Sequence, residues 1–421
     1  MANVCLPVLP LASGLHGAWV DLARRVVEGF REREGVELVV TDADSIVTEP
    51  AHLLLVLTGG TEGEAVEFAE RVTGPIVLLS HPGHNSLPAA LEAAARLRQD
   101  RRSVWVVHLG AGTVSLPVLG RAVALARGLK GKRVGLVGDP SPWLVASSPG
   151  MDALAEKLGL VVRQFPLHAV LARLPTEAQA PIPGEGDGLG DGERTMASGV
   201  HAALARWVQD EQLDALTIAC FGLLPHRMTA CWALACLSDA GIPGGCEGDL
   251  PALLALMVAQ ELTGGPGFLA NPADLDLKRG RLVLAHCTVP LSLVASYRLR
   301  THFESGIGLA VAGRVRPGPY TLVRFGGKGL EEGFFAEGAV LPEHLGREDL
   351  CRTQVVFKMA KGALERLLRE PLGNHHVLVP GHHRAVLSLF HRFFLAAEER
   401  RRDTGSGGCG PVDHEPSHGN K

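Results

Sequence analysis

The stretch GGCEGDLPALLALMVAQELTGGPGFLAN, Gly244–Asn271, sets one acid, Glu247, on a Cys-Glu-Gly-Asp turn that runs straight into an apolar helix. An acid in the first turn of a helix can simply complement the helix dipole, which is worth about 0.3–1 kcal/mol. Asp249, immediately before Leu250, already meets that need as an N-cap. Glu247 is left without a structural task, and that turns it towards function. Histidines supply the other candidates. THFESG (Thr301–Gly306) and GNHH (Gly373–His376) each place a histidine in a polar, glycine-flanked loop, where functional side chains tend to sit. The alternative for a single loop histidine is an ordinary surface residue.

Other motifs carry less. HCTVP, His286–Pro290, sets His286 and Cys287 side by side at a strand end, where neighbours point to opposite faces and would not share a metal. A structural zinc site would need a second spaced pair, and none is present. GHHR, Gly381–Arg384, reads as a solvated helix start. GDPSPWL, Gly138–Leu144, follows a strand and precedes a helix, the place where parallel α/β sheets bind ligands, although a proline-stiffened turn would look the same. HLGAGTVSL, His108–Leu116, has Gly110 and Gly112 after a strand, but Ser115 stands where a third glycine would complete a dinucleotide fingerprint.

These residues need elements to position them. Up to residue 130, strands at Val36–Val40, His52–Leu57, Ile76–Leu79 and Val104–His108 alternate with helical faces at Trp19–Glu32, Glu62–Arg71 and Ala89–Arg98. Such alternation argues for an open parallel sheet covered by helices. A second α/β unit, 131–262, runs through the strand Arg133–Val137, the helix Met151–Leu158 and the strand Leu160–Phe165. A helix around Ser198–Gln212, the strand Ala215–Ala219 and the helix Met228–Ala240 follow. Between them, APIPGEGDGLGDGE (Ala180–Glu193) reads as a flexible loop. From about Thr263 the pattern changes to short strand-like pieces, Arg281–Ala285, Gly308–Ala312 and Tyr320–Phe325, which argue for an antiparallel sheet or barrel over 263–398. The helix Arg384–Glu399 closes the fold, and 399–421 reads as a disordered tail.

The totals fit this division. A chain of 421 residues is too long for one core. A net charge of −4 with interspersed signs leaves no footprint for nucleic acid or an anionic membrane. No apolar stretch approaches the roughly 20 residues that span a bilayer, and MANVCLPVLPLASGLHG lacks the basic start of a signal peptide. Eight cysteines without a CxxC pair read as reduced, mostly buried thiols, so a cytoplasmic protein is expected.

The run CFGLLP, CLSDAGIPGGCEGDLPALLALMVAQELTG, GFLANPADLD, LAHCTVP, THFESG, TLVRFGG and GNHHVLVPG, with LTGGTEG, HNSLPAALE and VGLVGDPSPWL upstream, resembles the L-fucose isomerase-like family. The L-arabinose isomerases belong to the same superfamily. The resemblance covers most of residues 50–395 in the family's order. It implies two Rossmann-like α/β domains with parallel sheets, followed by a C-terminal domain with an antiparallel β-barrel. It also implies a metal-dependent aldose–ketose isomerase, with a divalent metal, usually manganese, stabilising an enediolate while a base moves a proton between C1 and C2.

Carried over residue by residue, the metal ligands would be Glu247, Asn271 and His375, with Glu247 and Asn271 at the catalytic positions. Asn85, Ser86, Trp143, His286, His302 and Asn374 would touch a small-molecule sugar. A homotrimer or homohexamer would build each site partly from a neighbour's amino-terminal domain.

Asn271 departs from the family, which has an acid there. Its carbonyl can ligate a hard ion, but it cannot act as a base. Asp249, Asp274 and Asp276 are close enough in sequence to stand in. The departure keeps open a sugar-binding protein that has lost catalysis, or a metal-dependent lyase or epimerase that needs one carboxylate.

Overall fold

A computed structural model describes residues 5–396, apart from 15–16, 113, 148–150, 178 and 187–188. The expected tail, 399–421, lies outside the described residues. Five parallel strands form the first sheet: β1 (Cys5–Leu11), β2 (Glu37–Val40), β3 (His52–Val56), β4 (Ile76–Ser80) and β5 (Val104–His108). They lie in the order β2-β1-β3-β4-β5 with helices between them in sequence. β1 is inner to this sheet yet absent from the sequence reading, because Pro7 and Pro10 argue against a strand.

The second sheet is also parallel, β7-β6-β8-β9, from β6 (Arg133–Val137), β7 (Val161–Phe165), β8 (Ala215–Ile218) and β9 (Gly244–Cys246). The helix expected around Ser198 begins earlier, at Asp191, where Glu193 accepts the backbone N–H of Gly190. The preceding loop is not slack where it is described. Arg194 donates to the carbonyls of Ile182 and Gly184 at 2.8 and 2.9 Å, and Ile182 is buried against Leu299. Backbone hydrogen bonds anchor what composition alone reads as flexible.

The remaining strands are β10 (Phe268–Asp276), β11 (Arg281–His286), β12 (Val294–Arg300), β13 (Ala310–Val315), β14 (Gly318–Gly326), β15 (Glu332–Val340), β16 (Thr353–Met359) and β17 (His376–Pro380). Six close into an antiparallel barrel, β10-β11-β16-β15-β14-β17, while β12 and β13 form a separate hairpin. The α/β class with a carboxy-terminal antiparallel barrel is therefore present. The last helix is shorter than expected: α-helical geometry holds over Arg384–Phe390 and widens to a π-turn over His391–Leu395.

One helix, Leu250–Thr263, joins the two halves. Every residue from Leu250 to Ala259 is buried, as expected for a helix apolar on all sides. It packs on β14, β17 and the helix Leu116–Leu129. Gly264, at φ +69°, ends it in a left-handed cap, and the chain returns along β10 beside β17. Among the described residues no helix is long and apolar enough to cross a membrane.

The barrel carries one titratable group with a measurable consequence. His376 is buried, its ring edge-on to Phe334 at 5.8 Å, and its Nδ1–H donates to the Asn374 carbonyl at 3.1 Å. Burial pushes its pKa from 6.5 down to about 4. The native ring thus stays neutral while the unfolded ring takes up a proton below pH 6.5, so this contribution is lost as pH falls towards 4. Between pH 7 and 5 it should remove roughly 2 kcal/mol of stability. Urea unfolding of wild type and His376→Leu at both pH values checks this, and the variant should show that much less pH dependence.

Candidate active site

The carboxyl ends of β6, β8 and β9 face one side of the second sheet, the usual ligand side of a parallel sheet. Glu247 leaves β9 there with φ +64°, a left-handed conformation that costs a non-glycine residue about 1–2 kcal/mol. Gly248 follows at φ +76°, and a Cβ on it would lie 2.8 Å from Cα of Pro140. The turn is thus pressed against GDPSPWL, which holds it in two ways. The Ser141 N–H donates to the Glu247 carbonyl at 2.8 Å, and the Trp143 Nε1–H donates to Glu247 Oε2 at 2.6 Å. Strain at Glu247 is maintained by this packing and aims the carboxylate inward.

His375 enters β17 from the barrel side and is fully buried. Its Nε2 lies 3.7 Å from Glu247 Oε1, too long for a hydrogen bond. Its Nδ1 lies 3.0 Å from Asp249 Oδ2. Asp249 meets its capping role through Oδ1, which accepts the Ala252 N–H at 2.8 Å. Both its oxygens also accept from Nη1 of Arg324, at 3.1 and 3.0 Å. Neither Asp249 nor Arg324 is solvent-exposed. Burial alone would raise the Asp249 pKa, but the Arg324 charge and the His375 hydrogen bond outweigh it and hold the group below 3.8. Arg324 also donates to Ser147 Oγ at 2.6 Å and to the Leu372 carbonyl at 3.3 Å. Gly373, at φ +137°, leaves room for that guanidinium: a Cβ there would lie 2.6 Å from Nη2.

Asn271 follows Ala270, which pairs with His376 on β17, and itself pairs with Ala285 on β11. His286, next to Ala285, packs edge-on to His375 at 5.7 Å. Burial, then the charges of His375 and His302, hold the His286 pKa well below 6.5. Asn271 Oδ1 and His375 Nε2 are both buried acceptor positions without a hydrogen-bond partner among the described residues. A carboxylate 3.7 Å from an unpartnered imidazole nitrogen, with an amide oxygen on the neighbouring strand, has the oxygen and nitrogen donor types that suit a divalent cation. Among the described residues, no three His, Cys, Asp or Glu side chains are arranged to hold a metal. Of the suggested stand-ins, Asp249 is held by Arg324 and His375, whereas Asp274 pairs with Arg347 at 2.9 Å and Asp276 accepts the Arg279 N–H at 3.0 Å. A bulge between Pro272 and Asp274 separates Asn271 from that stretch of β10.

The expected sugar contacts separate into two groups. Trp143 is half exposed beside Glu247, and Phe221 packs edge-on to it at 4.9 Å. The His302 ring meets Phe221 at 5.7 Å, so THFESG belongs to the same wall. Asn374 is exposed next to His375. Asn85 and Ser86 instead start a helix on the first sheet. Asn85 is left-handed at φ +55°, and the buried Ser86 hydroxyl donates to Val56 and accepts the His81 N–H. Within one chain Ser86 shapes its own loop.

Glu304 was missed in the sequence, hidden by the histidine two residues before it. Partial burial and the Glu247 charge raise its pKa, so a second carboxyl lies within electrostatic reach of Glu247. Arg324 and Ser147 were missed as well, since an Arg in a strand and a Ser in a turn carry no local signal. The seven described cysteines are unbridged, and Cys231, Cys246 and Cys287 are buried. His286 turns to the site while Cys287 joins Cys231 and Cys351, as alternation on a strand requires.

No protein-family model matches the chain. Among curated proteins it is 22% identical over 208 residues to sulfoquinovose isomerases of Priestia aryabhattai and Priestia megaterium (strain ATCC 12872 / QMB1551). The alignment takes in 46% of this chain and 47% of each relative, so the chain spans about half the length of the curated relatives it matches. The likeness is distant, and it is to sugar isomerases.

Proposed function

We propose that the protein is an aldose–ketose isomerase whose site is assembled by Glu247, His375 and Asn271. The observation that carries this reading is one strained carboxylate, Glu247, 3.7 Å from a buried nitrogen, His375 Nε2, that has no hydrogen-bond partner among the described residues; Asn271 Oδ1, buried and likewise without a partner, lies on the strand beside β17. The distant likeness to sulfoquinovose isomerases supports it. Glu247, His375 and Asn271 would hold a divalent ion, with manganese the first candidate. Such an ion would supply positive charge to offset the negative charge that grows on the sugar as the proton leaves.

The chain's own groups do the rest. Trp143 fixes the Glu247 carboxylate and offers its exposed face to the sugar. The Glu247 carboxylate takes the proton from C2 and returns it to C1. Glu304, which keeps its proton to higher pH than an ordinary carboxyl, exchanges a proton with the sugar hydroxyls. Asn85 and Ser86 would serve a neighbouring subunit's site in the trimer or hexamer that the resemblance implies.

The test is a panel of aldoses and ketoses, sulfoquinovose included, incubated with the protein with and without manganese. Interconversion that depends on the metal supports the proposal, and binding of a sugar with no conversion removes it. One observation favours a second reading, a lyase or epimerase using a single carboxylate: Asn271 is neutral and both nearby aspartates are held by surface arginines. Asn271→Asp speaks to the metal in either case. A full charge in place of an amide dipole should tighten manganese about tenfold, roughly 1.4 kcal/mol, by calorimetric titration. Unchanged affinity would put residue 271 away from the ion.

A further inference from the structure

We propose that Asp249 is a positioning residue that locks His375 in the tautomer whose Nε2 lone pair faces Glu247, with Arg324 holding Asp249 in place. The inference rests on the reading above only in taking His375 as part of the working site.

One short turn faces both nitrogens of a histidine that lies over a hundred residues further along the chain. Glu247 Oε1 sits 3.7 Å from Nε2, and Asp249 Oδ2 sits 3.0 Å from Nδ1. A carboxylate only accepts, so in the neutral ring the proton is on Nδ1 and Nε2 is bare. Nε2 is buried without a hydrogen-bond partner among the described residues, as a nitrogen reserved for a ligand would be. A carboxylate behind an imidazole fixes ring tautomer and orientation and raises basicity at the far nitrogen. Capping alone does not explain Asp249. A cap needs one oxygen, and Oδ1 supplies it to Ala252. Oδ2 is held between Arg324 and His375, and Arg324 is anchored in turn by Ser147 and Leu372.

The arrangement predicts what Asp249→Asn does. Each oxygen receives two donors, but the Ala252 N–H can only donate whereas the His375 ring can become an acceptor, so the single oxygen of asparagine is drawn to the Oδ1 place. Its amino group then takes the Oδ2 place and points N–H at Nδ1 of His375. The ring must answer by moving its proton to Nε2, which removes the lone pair from the site.

The experiment is ring-nitrogen NMR of the metal-free protein labelled at histidine, with His375→Gln to assign the His375 signals among the eighteen histidines, together with manganese titration. Wild type should show the Nδ1–H tautomer. Asp249→Asn should show Nε2–H and bind manganese about 10–100-fold more weakly; the cap survives, but the variant should unfold at lower urea because Arg324 is left buried without its counter-charge. A wild-type His375 protonated on Nε2, or a variant that keeps Nδ1–H, overturns the inference; the wild-type spectrum decides it even if the variant does not fold. A tautomer that flips as described in a protein that converts no sugar sustains the inference and removes the isomerase reading instead.

Discussion

Glu247→Gln should lower sugar isomerisation by about 10²–10⁴-fold, the range a positioned general base contributes. Glutamine keeps the shape and still offers an oxygen to the Trp143 N–H, which Glu247 Oε2 now accepts at 2.6 Å. The left-handed turn and its contacts with Pro140 and Ser141 are unchanged by the substitution. What is lost is the charge and the basic lone pair. Thermal melting of the variant should therefore stay close to wild type while turnover collapses, and manganese should bind more weakly because one full charge is gone. Glu304 gives a second readout. The Glu247 charge contributes to its raised pKa, so in Glu247→Gln its titration should move down in pH, visible in carboxyl NMR. A variant that retains more than about a tenth of wild-type turnover would exclude Glu247 as the base, since loss of the base costs at least about a hundredfold.

The second large effect concerns stability. Arg324→Met should destabilise the protein by about 3–5 kcal/mol, because it leaves the Asp249 carboxylate buried without its counter-charge. The environment allows little relief, since neither side chain is solvent-exposed. The cost should not be read as the net value of the ion pair, since most of it is the penalty of the orphaned charge. Arg324→Met combined with Asp249→Asn separates the two. The neutral amide removes the buried charge and keeps an N-cap, so the double variant should recover to within about 1–2 kcal/mol of wild type, the remainder being lost hydrogen bonds to Ser147 and Leu372. Urea unfolding of both single variants and the double forms the cycle. A single-variant loss below about 1 kcal/mol would mean that water or another group already compensates Asp249.

By itself the sequence determined the alternation of strand and helix up to Asp239, the change of pattern after Thr263, and the presence of an acid at Glu247 that capping did not explain. These are local properties. Periodicity is set by neighbours a few residues away, and an N-cap such as Asp249 is recognised from the residue type and the helix that follows. It did not reveal β1, because Pro7 and Pro10 deny the strand pattern although neighbours on both sides accept them. Nor did it show that β10 is a strand, since Asn271, Pro272 and Asp274 read as turn residues until the bulge and two barrel partners order them.

The site was legible in part for the same reason. Glu247 and His375 stood out as polar residues in glycine-flanked turns. Their meeting is a tertiary fact, made by a helix buried on all sides that presses the edge of the parallel sheet against the barrel. Asp274 and Asp276 lie close to Asn271 in sequence but turn to surface arginines. Arg324, distant in sequence, reaches Asp249 because β14 packs on the helix that Asp249 caps. A charge inside the protein is placed by whatever compensates it, and the compensating group can come from any part of the chain. That choice belongs to the fold.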